Sequence, residues 1–252
     1  MSLSPILSPQ LSSTRHGFFT RLGGVSTGDF AALNCGYGSP ENPGIIRQNR
    51  ALIARYIGVR EDHLLSVTQT HSADVFSISA PEDLTKKPPA DAMVTNLPGT
   101  ALGILTADCA PVLFQDHARH VIGAAHAGWR GAVGGILEAS ISAMCALGAK
   151  RSRIRATVGP AISQRNYEVG QEFIEAFMDT DSRYSAFFIQ GKPGKYLFDL
   201  PGFVLHQLRA QGIEADWTGH CTYADPARFY SYRYSQHNAL PGYGRMLSVI
   251  AL

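Results

Sequence analysis

Two apolar segments in the middle of the chain each lead into side chains that can bind a metal or act as a nucleophile. Residues 100–106 are followed by Asp108 and Cys109, and residues 121–125 are followed by His126. Chemistry in proteins is concentrated where a rigid strand gives way to a loop. A short polar stretch separates the two segments, so we predict a hairpin that brings these side chains towards one corner.

His71 follows another predicted strand, residues 64–68, and provides a third candidate ligand. A set of one cysteine and two histidines suits a catalytic zinc ion, because three protein ligands leave the fourth position free for water or substrate. Thiolate and imidazole fit zinc or copper better than magnesium, and zinc would lower the pKa of a bound water to about 7. Two alternatives stay open from the residues alone. Cys109 and His126 could form a metal-free nucleophile and base, or all three could be structural.

Asp108 precedes Cys109 directly and also has two interpretations. It could exchange protons with a substrate as a general acid or base. It could instead accept a hydrogen bond from a ligand histidine and so orient that ring.

Three arginines are candidates for binding phosphate. Arg47 and Arg50 lie three residues apart in a helix predicted to begin at Asn42-Pro43, so they share one face. That face is either a solvated basic surface or a clamp for phosphate or carboxylate. Arg130 follows His126 at the start of a helix predicted over residues 132–147, where backbone N–H groups and the helix dipole favour an anion.

The elements that must position these residues alternate between strand and helix patterns along the whole chain. This alternation predicts an α/β or α+β fold, with one mixed sheet flanked by helices and a single domain over residues 1–252. Further predicted strands are residues 16–20, 75–78, 154–158, 196–200, 213–217 and 246–251, and further helices start at Tyr167 and cover residues 203–211.

Composition excludes several classes of protein. A net charge of +2 over 252 residues gives no reason to expect nucleic acid as a partner. No apolar run approaches the roughly 20 residues of a membrane span, and no secretory signal precedes the first strand. The four cysteines are widely spaced without a C-x-x-C pair, which favours a reducing compartment. We therefore expect a cytoplasmic protein without a membrane partner.

Several motifs recur in a fixed order and together resemble a known family. They are Thr20-Arg21-x-Gly23-Gly24-Val25-Ser26, Gln69-x-His71, Thr106-Ala107-Asp108-Cys109-x-Pro111-Val112, His126-Ala127-Gly128-Trp129-Arg130-Gly131, Gly159-Pro160-x-Ile162 with Tyr167-Glu168-Val169, and Cys221-Thr222 with Phe229-Tyr230-Ser231-Tyr232-Arg233. The set resembles the laccase-domain family, long labelled multicopper polyphenol oxidoreductases and better described as purine nucleoside phosphorylases.

The resemblance implies a single-domain α/β fold and a zinc centre made by His71, Cys109 and His126. It also implies that phosphate cleaves adenosine, inosine, guanosine and S-methyl-5′-thioadenosine to the base and a ribose 1-phosphate, and that adenosine is deaminated. The expected partners are therefore a purine nucleoside and phosphate. Some members of the family are described instead as peptidoglycan editing factors.

Copper is the less expected metal. Multicopper oxidation needs around ten histidines, typically in His-x-His pairs, whereas this chain has nine histidines and no such pair. Two other functions compete with the nucleoside enzyme. One is a Cys-His hydrolase that acts on an amide in peptidoglycan precursor editing, and the other is a non-catalytic cell-wall partner protein.

Overall fold

A computed structural model describes residues 3–252, in which helices and strands alternate as the sequence predicts. The strands, numbered in chain order, are β1 (Arg15–Phe18), β2 (Leu64–Leu65), β3 (Val75–Ile78), β4 (Ala92–Thr95), β5 (Ala101–Thr106), β6 (Ala110–Asp116), β7 (Val121–Ala127), β8 (Arg155–Val158), β9 (Glu168–Gly170), β10 (Phe188–Gln190), β11 (Lys195–Phe198), β12 (Glu214–Trp217) and β13 (Met246–Ala251). The helices are α1 (Pro43–Ile57), α2 (Trp129–Val133), α3 (Ile136–Ala146), α4 (Gln171–Met178), α5 (Leu200–Ala210) and α6 (Tyr232–His237). The predicted mixed α/β class is confirmed, but the strands form three sheets and not the one mixed sheet that we predicted.

The strands form a six-stranded sheet, a four-stranded sheet and a small three-stranded sheet. The six-stranded sheet has the order β12-β8-β6-β7-β4-β3 and mixes parallel with antiparallel pairs. The four-stranded sheet has the order β1-β13-β5-β2, and the small sheet has the order β10-β11-β9. Strands β5 and β6 are consecutive but belong to different sheets, so the turn between them links the two larger sheets.

Alternating side chains on β6 explain why its first five residues, 110–114, are all apolar. Val112 and Phe114 belong to the core that contains α3 and α5, whereas Leu113 belongs to the core that contains residues of the four-stranded sheet. Successive side chains on a strand point to opposite faces, so a strand between two cores must be apolar at every position. The two large sheets therefore pack face to face, with helices on the far side of the larger one.

Helix α1 covers the outer face of the four-stranded sheet. Ile53 and Ile57 pack there against Leu247 and Val249 of β13. The helix begins as predicted, because the Asn42 side chain accepts a hydrogen bond from the Gly44 N–H.

The helix predicted over residues 132–147 is wrong as a single element. The chain forms α2, which has five residues, and then α3, which has eleven. Gly134 and Gly135 separate them, and Gly135 has a φ of +94°, a left-handed conformation that glycine adopts readily and that ends helical geometry.

Several other predicted boundaries differ from the structure; for example, the strand predicted over residues 196–200 ends at Phe198 and the helix predicted over residues 203–211 begins at Leu200. The strand predicted over residues 64–68 ends at Leu65, because only Leu64 and Leu65 pair with β5. Strand β7 continues through His126 to Ala127, so His126 lies inside a strand and not after its end. The helix predicted from Tyr167 begins at Gln171, because the preceding residues pair with β11 as β9.

The predicted hairpin is present. β6 and β7 pair antiparallel from Ala110 opposite Ala127 to Asp116 opposite Val121, and a 3-10 turn joins them. Among residues 3–252, every helix is too short or too polar to cross a lipid bilayer.

Candidate metal centre

The structure brings His71, Cys109 and His126 together. One donor atom from each residue lies within 4.8 Å of the donors of the other two, and Cys109 Sγ is 3.8 Å from His71 Nε2. The His71 and His126 rings meet edge to face, with centroids 4.7 Å apart. His126 is buried and His71 is exposed, so the group lies at the boundary between the core and a cavity open to solvent.

The register of the hairpin places Cys109 beside His126. Since Ala110 pairs with Ala127 across the antiparallel strands, Cys109 just before β6 lies opposite Gly128 just after β7. A Cβ atom at Gly128 would lie 2.8 Å from Cδ2 of His71 and 3.1 Å from Sγ of Cys109. Only glycine leaves room for these two ligands to approach at this point, which explains the residue type.

Asp91 positions the other side of the centre, and the sequence alone did not identify it. Asp91 precedes β4, and since Ala92 pairs with Ala125 of β7, Asp91 lies opposite His126. Its Oδ1 accepts a hydrogen bond of 2.7 Å from Nδ1 of His126. The carboxylate cannot donate, so Nδ1 carries the proton and Nε2 keeps its lone pair for a metal.

The second oxygen of Asp91 holds the loop that carries His71. Oδ2 accepts hydrogen bonds from the backbone N–H groups of Thr70 at 3.0 Å and Ser72 at 2.6 Å, and also from both of their hydroxyls. These two residues flank His71, whose φ of +62° is unusual for a residue with a side chain. One buried carboxylate thus fixes two of the three candidate ligands.

The ionised side chains of Cys109, His126 and Asp91 stabilise one another. Burial raises the pKa of the Cys109 thiol, but the positive charge of His126 and hydrogen bonds from both histidines outweigh it and lower that pKa to about 6. Burial lowers the pKa of His126, but the Cys109 thiolate and Asp91 outweigh it and raise that pKa to about 9. Burial opposes ionisation of Asp91, yet hydrogen bonds from His126, Ser72 and Thr70 hold its pKa well below the ordinary value. Between these two pKa values, the metal-free pair is therefore a thiolate and an imidazolium.

A metal fits this donor set. A thiolate and two imidazole nitrogens that converge within a few ångströms are the ligand types of zinc and copper sites. Metal binding requires the thiolate that the site already favours and displaces one proton from His126, so its affinity rises with pH. The three residues can therefore bind a metal ion together.

Asp108 does not orient a ligand histidine, because Asp91 has that position. Oδ1 of Asp108 accepts a hydrogen bond of 2.7 Å from the Thr222 hydroxyl, and Oδ2 accepts one of 2.7 Å from the backbone N–H of Arg233. Burial raises the pKa of Asp108 above its ordinary value, although these hydrogen bonds oppose the shift. Asp108 therefore ties the loop that contains Thr222 and the start of α6 to the turn that carries Cys109.

The three predicted arginines do not all line the cavity of the metal donors. Arg50 lines that cavity. Arg47 is exposed, forms an ion pair of 3.8 Å with Glu61, and lines a neighbouring surface depression to which Arg50 also contributes. Arg130 is exposed and lies over the Trp129 ring at 4.7 Å, on a helix too short to have a strong dipole. Phosphate binding by Arg47 and Arg130 stays a prediction.

The cavity has a volume of about 580 Å³, within the usual range for a small-molecule site. The sequence did not identify most of its wall, because the contributing loops come together only in the folded chain. The wall consists of the three metal donors and Tyr37, Gly38, Arg50, Ser66, Val67, Thr68, Gln69, Lys87, Leu105, Thr106, Ala107, Tyr232, Tyr243 and Arg245.

Comparison with known proteins identifies the family of the chain. The family described as multi-copper polyphenol oxidoreductase laccase matches residues 15–252. The chain belongs to this family. The resemblance inferred from the motifs is therefore confirmed over nearly the whole length.

Related proteins carry a different functional name. A Deinococcus radiodurans protein named purine nucleoside phosphorylase is 37% identical over 249 residues, which cover 98% of this chain and 93% of the relative. An Escherichia coli protein named purine nucleoside phosphorylase YfiH is 38% identical over 234 residues, which cover 92% of this chain and 91% of the relative.

Solved structures share the fold along the whole chain. A Neisseria meningitidis protein is 32% identical with a TM-score of 0.87, and the match covers 100% of this chain and 99% of that one. A Bacillus licheniformis hypothetical protein YfiH is 26% identical with a TM-score of 0.91, and the match covers 100% of this chain and 97% of that one.

Proposed function

We propose that the protein is a zinc-dependent purine nucleoside phosphorylase that also deaminates adenosine. Its substrates are adenosine, inosine, guanosine and S-methyl-5′-thioadenosine, which phosphate cleaves to the base and a ribose 1-phosphate. The observation that carries the proposal is the single cavity of about 580 Å³ that combines the metal donors with aromatic and cationic side chains. The names of the relatives that are 37% and 38% identical support the phosphorylase part of this function.

Zinc held by His71, Cys109 and His126 supplies Lewis acidity when it is bound. The chain itself provides the rigidity that such a centre needs. Asp91 accepts hydrogen bonds from Nδ1 of His126 and from the two backbone N–H groups beside His71, so it fixes the His126 ring and the backbone that carries His71.

The cavity also offers groups suited to a nucleoside. Tyr37, Tyr232 and Tyr243 provide aromatic faces against which a purine can stack. Arg50 provides positive charge for phosphate, which is the second substrate of phosphorolysis. Both features lie in the same cavity as the metal donors, as a reaction between base, sugar and phosphate requires.

We assign to Asp108 the exchange of a proton with the purine during deamination. Its position beside Cys109 and its raised pKa support this role, since a raised pKa makes a carboxyl group a better acceptor of a proton that it can then donate. Its two hydrogen bonds to Thr222 and Arg233 fix the orientation of the carboxyl group.

The residues argue against multicopper oxidase chemistry despite the family description. Within residues 3–252, His71, Cys109 and His126 form the one group of three or more ligand side chains close enough to share a metal. A multicopper centre needs several such groups, and the nine histidines of the chain do not supply them.

The test combines elemental analysis with product analysis of adenosine turnover in the presence and absence of phosphate. The variant is Cys109→Ala, and the matched control is Cys145→Ala, a cysteine on α3 outside the cavity. We expect about one zinc per chain in the wild type and in Cys145→Ala, together with phosphate-dependent release of adenine and phosphate-independent formation of inosine. Cys109→Ala should lose the zinc and both products.

Two outcomes would refute the proposal in favour of other functions. Activity that survives a strong chelator but disappears in Cys109→Ala would indicate a metal-free Cys109 nucleophile with His126 as its base, for which the thiolate and imidazolium pair is suited. The absence of turnover in every sample would favour the editing or partner function.

A further inference from the structure

Three cationic side chains line one cavity without any acidic partner. Arg50, Lys87 and Arg245 all contribute to its wall, whereas no aspartate or glutamate does. Within residues 3–252, none of the three has a carboxylate oxygen within 4.0 Å. Other cations in the described part of the chain do have such a partner, for example Lys86, whose Nζ lies 2.7 Å from Oδ1 of Asp83. The cavity wall therefore concentrates positive charge that the protein itself leaves uncompensated.

Arg50 is held in place and still has an unused donor. Its Nη2 donates to the Leu64 carbonyl at 3.2 Å and to the Ser66 hydroxyl at 2.9 Å. Its Nη1 is buried and has no hydrogen-bond partner among the described residues. A buried charged donor without an acceptor is strongly unfavourable, so the fold leaves this atom for an acceptor that the chain does not provide.

Lys87 is brought to the same place by Tyr37. The Arg50 guanidinium lies 5.6 Å and the Lys87 ammonium 5.2 Å from the centre of the Tyr37 ring. Burial and the positive charge of Arg50 both lower the pKa of Lys87. Two like charges on one ring repel each other, and an anion between them would remove that repulsion.

Arg245 is fixed by a different part of the chain. Its backbone N–H donates to Oδ1 of Asn34 at 2.9 Å, and its carbonyl accepts from the N–H of Cys35 at 3.0 Å. A Cβ atom at Gly36 or at Gly38 would lie 3.1 Å from the Arg245 side chain. The two glycines thus let this side chain lie against the backbone that leads to Tyr37.

We propose that Arg50, Lys87 and Arg245 form a subsite for a phosphate dianion in the cavity that also holds the metal donors. Three cations that lack a carboxylate partner, together with the unpaired N–H donor of Arg50, match the charge and the acceptor oxygens of phosphate. The phosphate is either free inorganic phosphate or the 5′-phosphate of a nucleotide. The assignment of the ligand as free inorganic phosphate rests on the proposed phosphorylase function. The subsite itself is inferred from the side chains alone.

The experiment is isothermal titration calorimetry of the metal-loaded protein with inorganic phosphate, inosine and inosine 5′-monophosphate, each titrated separately. Without phosphate, inosine is not cleaved, so binding is measured without turnover. The variants are Lys87→Gln and Arg245→Gln, and the matched control is Lys86→Gln, which removes the neighbouring lysine outside the cavity. Thermal melting of each variant reports whether it is folded.

We expect Lys87→Gln and Arg245→Gln each to weaken phosphate binding by about tenfold or more, as for the loss of one charged hydrogen bond, and Lys86→Gln to change it by less than about twofold. If the subsite binds free phosphate, the wild type should bind inosine 5′-monophosphate no more tightly than inosine. If it binds the phosphate of a nucleotide, the wild type should bind inosine 5′-monophosphate more tightly than inosine, and both variants should abolish this difference in affinity. Either pattern supports the subsite.

The subsite is refuted if folded Lys87→Gln and Arg245→Gln bind both phosphate and inosine 5′-monophosphate as the wild type does. That result, with phosphate-dependent turnover intact, would leave the proposed function standing and move its phosphate elsewhere. Conversely, phosphate binding that the two variants weaken, in a protein without nucleoside turnover, would keep the subsite and reject the phosphorylase.

Discussion

Replacing Asp91 by asparagine should weaken metal binding although Asp91 is not a ligand. The carboxylate accepts from His126 on one oxygen and from the residues on both sides of His71 on the other. An asparagine has one oxygen and one NH2 group, so it cannot satisfy both sets of donors. If the NH2 group faces the backbone N–H groups of Thr70 and Ser72, these hydrogen-bond donors have no acceptor, and the loop that carries His71 moves. If it faces His126, it donates to Nδ1, which moves the ring proton to Nε2 and blocks the metal-binding nitrogen.

The size of the effect follows from the bonds that are lost. A hydrogen bond to a charged group contributes about 1.5–3 kcal/mol, and each 1.4 kcal/mol is tenfold in affinity. Loss of one such bond therefore predicts a metal dissociation constant about 10–100-fold larger, which is also the usual cost of removing a residue that orients a metal-bound histidine.

The assay is a competitive titration of zinc against a fluorescent chelator at neutral pH, with Asp74→Asn as the control. Asp74 lies on the same loop as His71, and its side chain is exposed. The control should bind zinc as the wild type does. Nitrogen NMR of His126 should report a protonated Nδ1 in the wild-type protein. Wild-type zinc affinity in a folded Asp91→Asn protein would show that the histidines hold their orientation without this carboxylate, and the reasoning would fail.

Three further predictions concern the same centre. Gly128→Ala should lower zinc affinity in the chelator titration, because its Cβ would lie 2.8 Å from Cδ2 of His71 and 3.1 Å from Sγ of Cys109; unchanged affinity would show that the site can widen freely. In metal-free protein, alkylation of Cys109 by iodoacetamide should rise with pH around a midpoint of about 6, well below the ordinary thiol value of 9.0, because a lowered pKa populates the thiolate from lower pH upward. A midpoint near 9 would contradict the ion pair, and added zinc should suppress the reaction. Asp108→Asn should reduce kcat for deamination by about 100-fold or more with unchanged zinc content if Asp108 exchanges the proton, whereas an unchanged kcat would leave it a structural role.

The ligand set could be predicted from the sequence because its members belong to local patterns. Cys109 and His126 lie at the open end of one hairpin, and the two apolar segments that form this hairpin are recognisable without the rest of the chain. His71 was identified by its residue type and by the family motif. The strand predicted before His71, residues 64–68, is too long, because the chain after Leu65 no longer pairs with β5.

Asp91 and the cation cluster could not be predicted, for a different physical reason. Asp91 lies opposite His126 only because β4 pairs with β7 in one particular register, and nothing in either strand specifies that partner. Lys87 lies in a charged, proline-containing loop that is typical of solvated surface, and Arg245 follows a long irregular segment. Long-range packing around Tyr37 brings these residues next to Arg50, so their role depends on the tertiary structure.

The backbone of the site supports the inference that this corner of the fold is functional. Among the described residues, four that are not glycine have a positive φ, and two of them are His71 and Asp108. Such conformations cost about 1–3 kcal/mol each and persist where surrounding contacts enforce them. Here the enforcing contacts are visible: Asp91 holds the residues on both sides of His71, and Asp108 is anchored by Thr222 and by the backbone of Arg233. A site with only a structural role would not require residues with an unfavourable positive φ on two adjoining loops. The convergence of His71 and Cys109 on one point explains why this strain is retained.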